Sequence, residues 1–135
     1  MLDEKVVFLF IGDASLEEMT EKVVQNFPKE KILNLTGKTN LRELAAYLSF
    51  ASVVLTNDSG PMHLAAALQR PIVSIFGSTD PNRTGPFPQG IVIRKKVACS
   101  PCFKRVCPID FRCMKGISVE EVFEKAEKLL RGARV

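Results

Sequence analysis

The chain has 135 residues with a formal net charge of +4; 46% of the residues are hydrophobic and 25% are charged. These values are typical of an ordinary globular protein with one domain and its own core. No apolar run approaches the roughly 20 residues that span a bilayer, and the acidic start of the chain lacks a signal-peptide layout, so a cytoplasmic location is expected.

Strands and helices are predicted to alternate along the whole chain. Apolar runs predict strands at 6–11, 32–35, 53–56, 72–76 and 91–93, and the first of these is expected to be buried on both faces. Capping-box spacing, a polar cap followed three residues later by Glu, predicts helix starts at Ser15, Asn40 and Ser118. A further helix is predicted from Pro61 to about Gln69. One apolar face is predicted on the first helix, made by Leu16, Met19, Val23 and Phe27.

This alternation predicts an α/β fold, with a Rossmann-like parallel sheet and helices on both of its faces. Residues 1–135 are interpreted as a single domain. The polar loops after the strands then share the carboxyl edge of the sheet, where ligands bind. No G-x-G-x-x-G motif is present, which disfavours an ordinary dinucleotide-binding domain.

The most informative stretch is the strand, turn and helix start around residues 53–68. Pro61 suits a first helical position, and either Asp58 or Ser59 can cap that helix. Free backbone N–H groups and the positive end of the helix dipole form an anion site, towards which His63 can lean. The alternative is a capped helix without a ligand, in which His63 is hydrogen-bonded locally.

Residues 94–115 are basic and rich in cysteine. The cations in this segment are Arg94, Lys95, Lys96, Lys104, Arg105, Arg112 and Lys115. They predict either a solvated loop or attraction to an anionic partner or membrane surface; a nucleic-acid partner is disfavoured because no such motif is present. Cys99, Cys102, Cys107 and Cys113 are candidate ligands for zinc or an iron–sulfur cluster, and the alternative is a packed loop with free or partly paired thiols.

Residues 57–68, read as N-D-S-G-P-M-H-L-A-A-A-L, and 76–81, read as F-G-S-T-D-P, together resemble a known family. They are similar to the C-terminal domain of bacterial ADP-heptose:lipopolysaccharide heptosyltransferases, glycosyltransferase family nine, and especially to the type II enzymes. The resemblance covers most of the chain. It implies the GT-B arrangement, in which two Rossmann-like domains face each other and the C-terminal one holds the nucleotide-sugar donor.

The resemblance also implies roles for residues that contact the sugar and the diphosphate. Asp58 would hydrogen-bond the heptose hydroxyls. Ser59 and Gly60 would offer donors to the diphosphate. His63 would face the phosphates or the sugar.

Further implied contacts concern the nucleoside. Thr39 lies where the family contacts adenine, and Lys38 is near enough in sequence to reach a phosphate. An acidic residue that follows the first strand would bind the ribose, and the candidates are Asp13, Glu17 and Glu18.

The implied reaction is heptose transfer from ADP-heptose to the lipopolysaccharide inner core, without a required cofactor. The family places the general base in an N-terminal acceptor domain, which this chain is expected to lack. We therefore expect the chain alone to bind nucleotide without transferring sugar. The expected partners are that domain and a lipid-linked acceptor, at the cytoplasmic surface of the inner membrane. The alternatives are a GT-B domain for another nucleotide sugar, in a transferase or an epimerase, and a metal-stabilised interaction module.

Overall fold

The computed structural model describes residues 6–132. The chain divides into two compact units, Met1–Ala46 and Tyr47–Val135. Both contain parallel strands connected through helices, which confirms the predicted α/β class. That the two units form one domain stays a prediction. None of the described helices combines the length and the apolar character that crossing a membrane requires.

The first unit is built on two short parallel strands. Strand β1 (Phe8–Phe10) pairs with β2 (Ile32–Asn34), and helix α1 (Glu17–Val24) lies between them in sequence. Single turns of 3-10 helix, Ala14–Leu16 and Lys29–Lys31, precede α1 and β2. The loops after both strands meet at the carboxyl edge as predicted, because the N–H of Gly37 donates to the carbonyl of Gly12 at 2.9 Å.

Helix α2 (Leu41–Phe50) starts in the first unit and continues into the second. Its start is the predicted capping box. The Asn40 side chain accepts from the N–H groups of Arg42 and Glu43 at 3.0 Å each, and the Glu43 carboxylate accepts from the N–H of Asn40 at 2.9 Å. Local sequence alone therefore specifies where this helix begins.

The second unit contains a three-stranded parallel sheet in the order β3–β4–β5. Its elements are β3 (Val54–Asn57), α3 (Gly60–Ala67), β4 (Ile72–Phe76), α4 (Pro81–Thr84), β5 (Ile91–Arg94), α5 (Arg112–Lys115) and α6 (Val119–Gly132). The central strand β4 carries much of the core, with Ile72, Val73 and Phe76 almost fully buried. Met62 and Ala65 of α3 are buried as well.

Several predicted boundaries are wrong. Asp13 caps the 3-10 turn by accepting from the N–H of Ser15 at 2.8 Å, so Ser15 is not the cap of α1, and Glu18 instead pairs with Lys22 at 2.6 Å. Residues 83–88 are rich in Pro and Gly, which predicts a loop, yet α4 covers Pro81–Thr84, because Asp80 accepts from the N–H of Asn82 and supplies a cap.

The end and start of α6 also differ in part from the prediction. The sequence predicts Gly132 just beyond the end of the last helix, but it is the last residue of α6. The Ser118 hydroxyl accepts from the N–H of Glu121 at 3.1 Å, as a cap should. The Glu121 carboxylate does not complete the box; it binds Lys95 Nζ at 2.7 Å and so ties α6 to the residue that follows β5.

The predicted burial of β1 on both faces is wrong, and the apolar face of α1 is exposed. Phe8 is exposed, and the side chains of the predicted face, Leu16, Met19, Val23 and Phe27, are 39–65% exposed. The polar side of α1 makes the contacts with the second strand instead. Glu21 accepts from Asn34 Nδ2 at 2.9 Å, and the Thr20 and Thr36 hydroxyls are 3.3 Å apart. These hydrogen bonds orient the helix and leave its apolar residues outside.

Candidate functional site

A cavity of about 220 Å³ opens in the second unit, at the carboxyl ends of β3 and β4. We call it the strand-end cavity. Three segments line it: Asn57 at the end of β3 with Asp58, Ile75 of β4 with residues 77–79, and parts of the segment 99–114, which we call the cysteine loop. The position follows from the parallel sheet, because the loops after neighbouring parallel strands meet at one edge.

Asp58 is the carboxylate of this wall, and a neighbouring segment holds it in place. Its side chain is only 17% exposed. The Thr84 hydroxyl donates to Asp58 Oδ2 at 2.8 Å, and His63 Nε2 lies 4.0 Å from Asp58 Oδ1. The structure thus brings Asp58 and His63 together as predicted. One carboxylate oxygen is fixed by Thr84, and the other faces His63.

The start of α3 has no side-chain cap, which corrects the prediction that Asp58 or Ser59 caps it. Ser59 occupies the N-cap position, but its hydroxyl lies 3.2 Å from the carbonyl of Asn57 and 3.1 Å from the Thr56 hydroxyl. The N–H of Gly60, the first helical residue, has no acceptor within the helix. A side-chain Cβ built on Gly60 would meet nothing within 4 Å. The helix start is therefore open in front of Gly60.

The cysteine loop is anchored on the turn after β4. The carbonyl of Ser78 accepts from the N–H groups of Cys102 at 3.0 Å and Phe103 at 2.8 Å. The Ser100 hydroxyl donates to the carbonyl of Gly77 at 2.6 Å. Gly77 also permits a close approach, since a Cβ there would lie 2.6 Å from Met114 Sδ. Both ends of the loop therefore touch the same turn.

All four cysteines line the strand-end cavity, but the predicted metal site is not supported. Among residues 6–132, no three His, Cys, Asp or Glu side chains are grouped so that they could hold a metal ion. The four thiols are free. The packed loop with free thiols, the alternative drawn from the sequence, describes this segment better than zinc or an iron–sulfur cluster, and nothing remains to support a metal-stabilised interaction module.

One of the four thiols is electrostatically distinct. Backbone N–H groups of Ile109 and Phe111 hydrogen-bond to Cys107 and hold its pKa below the usual range for a cysteine. The Phe111 N–H lies 3.3 Å from the sulfur. Donors that point at the sulfur stabilise the thiolate over the thiol.

Three cations of the basic segment form ion pairs with carboxylates. Arg94 lies 3.8 Å from Asp80, Lys95 lies 2.7 Å from Glu121, and Arg112 lies 2.9 Å from Asp110. Asp80 and Glu121 come from outside the segment, so counting charges within 94–115 overstated its positive character. Within the described part of the chain, Lys104 and Arg105 form no ion pair and no side-chain hydrogen bond, and both line the strand-end cavity.

The other predicted site residues lie in the first unit. Lys38 is exposed and its Nζ is 3.4 Å from the carbonyl of Asn34, whereas Thr39 is half-buried. Their predicted contacts with a phosphate and with adenine stay predictions.

The three acidic candidates for the ribose contact also lie there, and they differ in their surroundings. Asp13 caps the 3-10 turn. The pKa of its carboxyl is lowered mainly by the hydrogen bond from the Ser15 hydroxyl and to a smaller extent by the one from the Ser15 N–H. Glu18 pairs with Lys22. The Glu17 carboxylate lies over Gly37, where a Cβ would come within 2.2 Å of Oε1, and the φ of +70° at Gly37 likewise favours glycine.

The sequence did not predict the contacts of Thr84 and Ser78. It also did not predict that Arg94 pairs with Asp80 and Lys95 with Glu121. No local pattern distinguishes Thr84, because its role depends on α4 returning to the end of β3. Lys104 and Arg105 carried a usable signal, since they belong to the basic cluster already identified. The sequence could not separate them from cations that are neutralised by distant carboxylates.

Comparison with known proteins agrees with this fold. Residues 1–111 match the family described as glycosyltransferase family 9 (heptosyltransferase). The chain belongs to this glycosyltransferase family. The predicted resemblance is thereby confirmed.

Two of the similar relatives are heptosyltransferases of the second type. The chain is 31% identical over 134 residues to lipooligosaccharide heptosyltransferase 2 of Campylobacter jejuni, covering 96% of this chain and 42% of that protein. It is 33% identical over 89 residues to lipopolysaccharide heptosyltransferase 2 of Escherichia coli, covering 64% of this chain and 26% of that protein.

Solved structures show the same relationship. The structure of E. coli ADP-heptose lps heptosyltransferase II superimposes with a TM-score of 0.77 at 26% identity, over 96% of this chain and 38% of that one. A family 9 glycosyl transferase from Veillonella parvula gives 0.76 at 31% identity, over 93% and 37%. The chain thus spans about two fifths of the length of these proteins.

Proposed function

We propose that this chain provides the nucleotide-sugar-binding domain of a heptosyltransferase that moves heptose from ADP-heptose to the lipopolysaccharide inner core. Its family and its similarity to heptosyltransferases support the reaction class. The observation that carries the proposal is the half-buried Asp58, fixed by Thr84 beside His63 at the edge of a cavity whose wall also holds unpaired cations.

The site has the groups that sugar transfer from a nucleotide diphosphate requires on the donor side. A carboxylate accepts hydrogen bonds from sugar hydroxyls, and Asp58 keeps one oxygen available for this. The leaving nucleotide is an anion, which backbone N–H groups and nearby cations stabilise without a metal ion. The open start of α3 and the cavity cations are such groups. A general base must still activate the acceptor hydroxyl.

We propose that this base and the acceptor contacts come from a part of the enzyme that the 135-residue chain does not match in its longer relatives. The lipid-linked acceptor would place the enzyme at the cytoplasmic surface of the inner membrane. The 135-residue chain should then bind ADP-heptose without turnover. Heptosyl transfer by this chain alone, followed by mass spectrometry of an acceptor core, would contradict the assignment of the base.

Calorimetric titration tests the donor. ADP-heptose should bind more tightly than ADP, and ADP more tightly than UDP or GDP. Asp58→Ala should remove the extra affinity that the sugar provides, on the order of tenfold or more for lost hydrogen bonds to a charged group, and should leave ADP binding intact. Glu124→Ala, which removes an exposed carboxylate on α6, is the charge-matched control. Preference for a uridine or guanosine nucleotide would favour the second candidate, another nucleotide sugar.

A further inference from the structure

The cysteine loop places two uncompensated cations in the wall of the strand-end cavity. Lys104 and Arg105 line it, and neither has a carboxylate partner among residues 6–132. Arg112, the third cation of the wall, is neutralised by Asp110, with Nε to Oδ1 at 2.9 Å and Nη2 to Oδ2 at 3.2 Å. Asp58 is the acid of the wall. The cavity therefore has an excess of positive charge.

The backbone of the cysteine loop, rather than contacts of the long side chains, places Lys104 and Arg105 at the cavity. Cys102 and Phe103, the residues just before Lys104, donate their N–H groups to the single carbonyl of Ser78. The Arg83 guanidinium lies over the Phe103 ring, 5.6 Å from its centroid. The two cations thus follow directly after a segment that is held at three points.

The backbone of the loop adopts conformations that a flexible segment would leave. Phe103 has φ of +57° and Phe111 has φ of +58°, in the left-handed region that non-glycine residues avoid. Such conformations are energetically unfavourable and persist where surrounding contacts impose them. The hydrogen bonds to Ser78 impose this at Phe103, and the bond from the Phe111 N–H to Cys107 Sγ accompanies it at Phe111. These contacts therefore hold the backbone of the cysteine loop in a defined conformation along the cavity.

We propose that Lys104 and Arg105 bind the diphosphate of the nucleotide sugar in the cavity that Asp58 also lines. This inference rests on the proposed function and adds to it a second source of positive charge, separate from the helix start at Gly60. A diphosphate carries two or more negative charges, and two adjacent unpaired cations match it. Charge-assisted hydrogen bonds are about twice as strong as neutral ones, so these residues should dominate affinity for the phosphates.

The test is calorimetric titration of the 135-residue chain with ADP, AMP and inorganic pyrophosphate. The double variant Lys104→Ala/Arg105→Ala should bind ADP and pyrophosphate at least about tenfold more weakly, with a smaller loss for AMP. Lys125→Ala/Lys128→Ala removes the same charge from exposed positions on α6 and should stay within about twofold of the unmodified chain. Lys104→Arg/Arg105→Lys keeps both charges and should retain most of the affinity.

Ionic strength gives an independent readout. Affinity of the unmodified chain for pyrophosphate should fall as salt rises, and the Lys104→Ala/Arg105→Ala variant should show a clearly weaker dependence. If that variant binds ADP as tightly as the unmodified chain, the inference is overturned and the proposed function stands. If the unmodified chain binds pyrophosphate but not ADP, the proposed function fails, and with it the nucleotide part of the inference. Binding of neither overturns both.

Discussion

The hydrogen bond between Thr84 and Asp58 should be measurable in the stability of the chain. Thr84→Val keeps the shape of the side chain and removes the hydroxyl that donates to Asp58 Oδ2 at 2.8 Å. The hydroxyl also lies 3.3 Å from the carbonyl of Asp80, which is the longer and weaker of its two options. Because the Asp58 side chain is 17% exposed, water replaces the lost donor only in part.

The size of the effect follows from this partial burial. A hydrogen bond to a charged group contributes about 1.5–3 kcal/mol when it is fully covered, so we expect Thr84→Val to lower the free energy of unfolding by about 1–2 kcal/mol. For 135 residues this corresponds to a fall in melting temperature of about 4–7 °C. Thr84→Ser retains the hydroxyl and should remain close to the original melting temperature.

Urea and thermal unfolding followed by far-ultraviolet circular dichroism measure this change. A double-mutant cycle with Asp58→Ala identifies its cause, because Thr84→Val should cost less than about 0.5 kcal/mol once the carboxylate is gone. An unchanged melting temperature for Thr84→Val would show that the bond contributes nothing to stability. An equal loss in the Asp58→Ala background would show that the loss comes from a different contact of Thr84.

Three further predictions, two of them substitutions and one a pH profile, test other parts of the structure. Asn40→Ala removes the acceptor for two N–H groups at the start of α2 and should lower the free energy of unfolding by about 1 kcal/mol, measured by urea unfolding, whereas Asn40→Asp should be tolerated. Gly77→Ala forces Met114 to move and should cost about 1–3 kcal/mol, most of it recovered in Gly77→Ala/Met114→Ala; a loss of the same size with and without Met114 would contradict the contact. The lowered pKa of Cys107 means that its thiolate persists to lower pH. Alkylation of Cys107 by iodoacetamide, followed by peptide mass spectrometry, should therefore level off at a lower pH in the folded chain than in the urea-unfolded chain. Identical pH profiles in the two states would contradict the hydrogen bonds to its sulfur.

Local sequence patterns predicted an element correctly where the hydrogen bonds that define it lie within one short segment. The capping box at Asn40 and Glu43 formed as expected because both of its hydrogen bonds lie within four residues. The same spacing at Ser15 and Glu18 failed because Asp13 caps a preceding 3-10 turn and draws the Ser15 N–H away. Two potential caps in succession cannot be ranked from spacing alone.

The site was predictable as far as the order of strands determined it. Asp58 and His63 follow a buried strand directly, and their proximity needed only a turn and one helical turn. Thr84 and Lys104 reach the same region through separate segments, so only tertiary structure assigns them. The cysteines illustrate the opposite error, because compact spacing suggested a metal site that the placement of the thiols does not form.

Under the proposed function, the uncapped start of α3 would link the stability of the chain to nucleotide binding, because the Ser59 hydroxyl contacts Asn57 and Thr56 instead of capping the helix. The first turn of α3 lacks the acceptor that most helices carry in their own sequence, so an arriving phosphate would complete the element. A ligand held at 100 times its dissociation constant adds about 2.7 kcal/mol to the folded state. The melting temperature would then keep rising with the logarithm of ligand concentration above the dissociation constant, and melting curves recorded at one concentration of each sugar nucleotide would rank them by affinity.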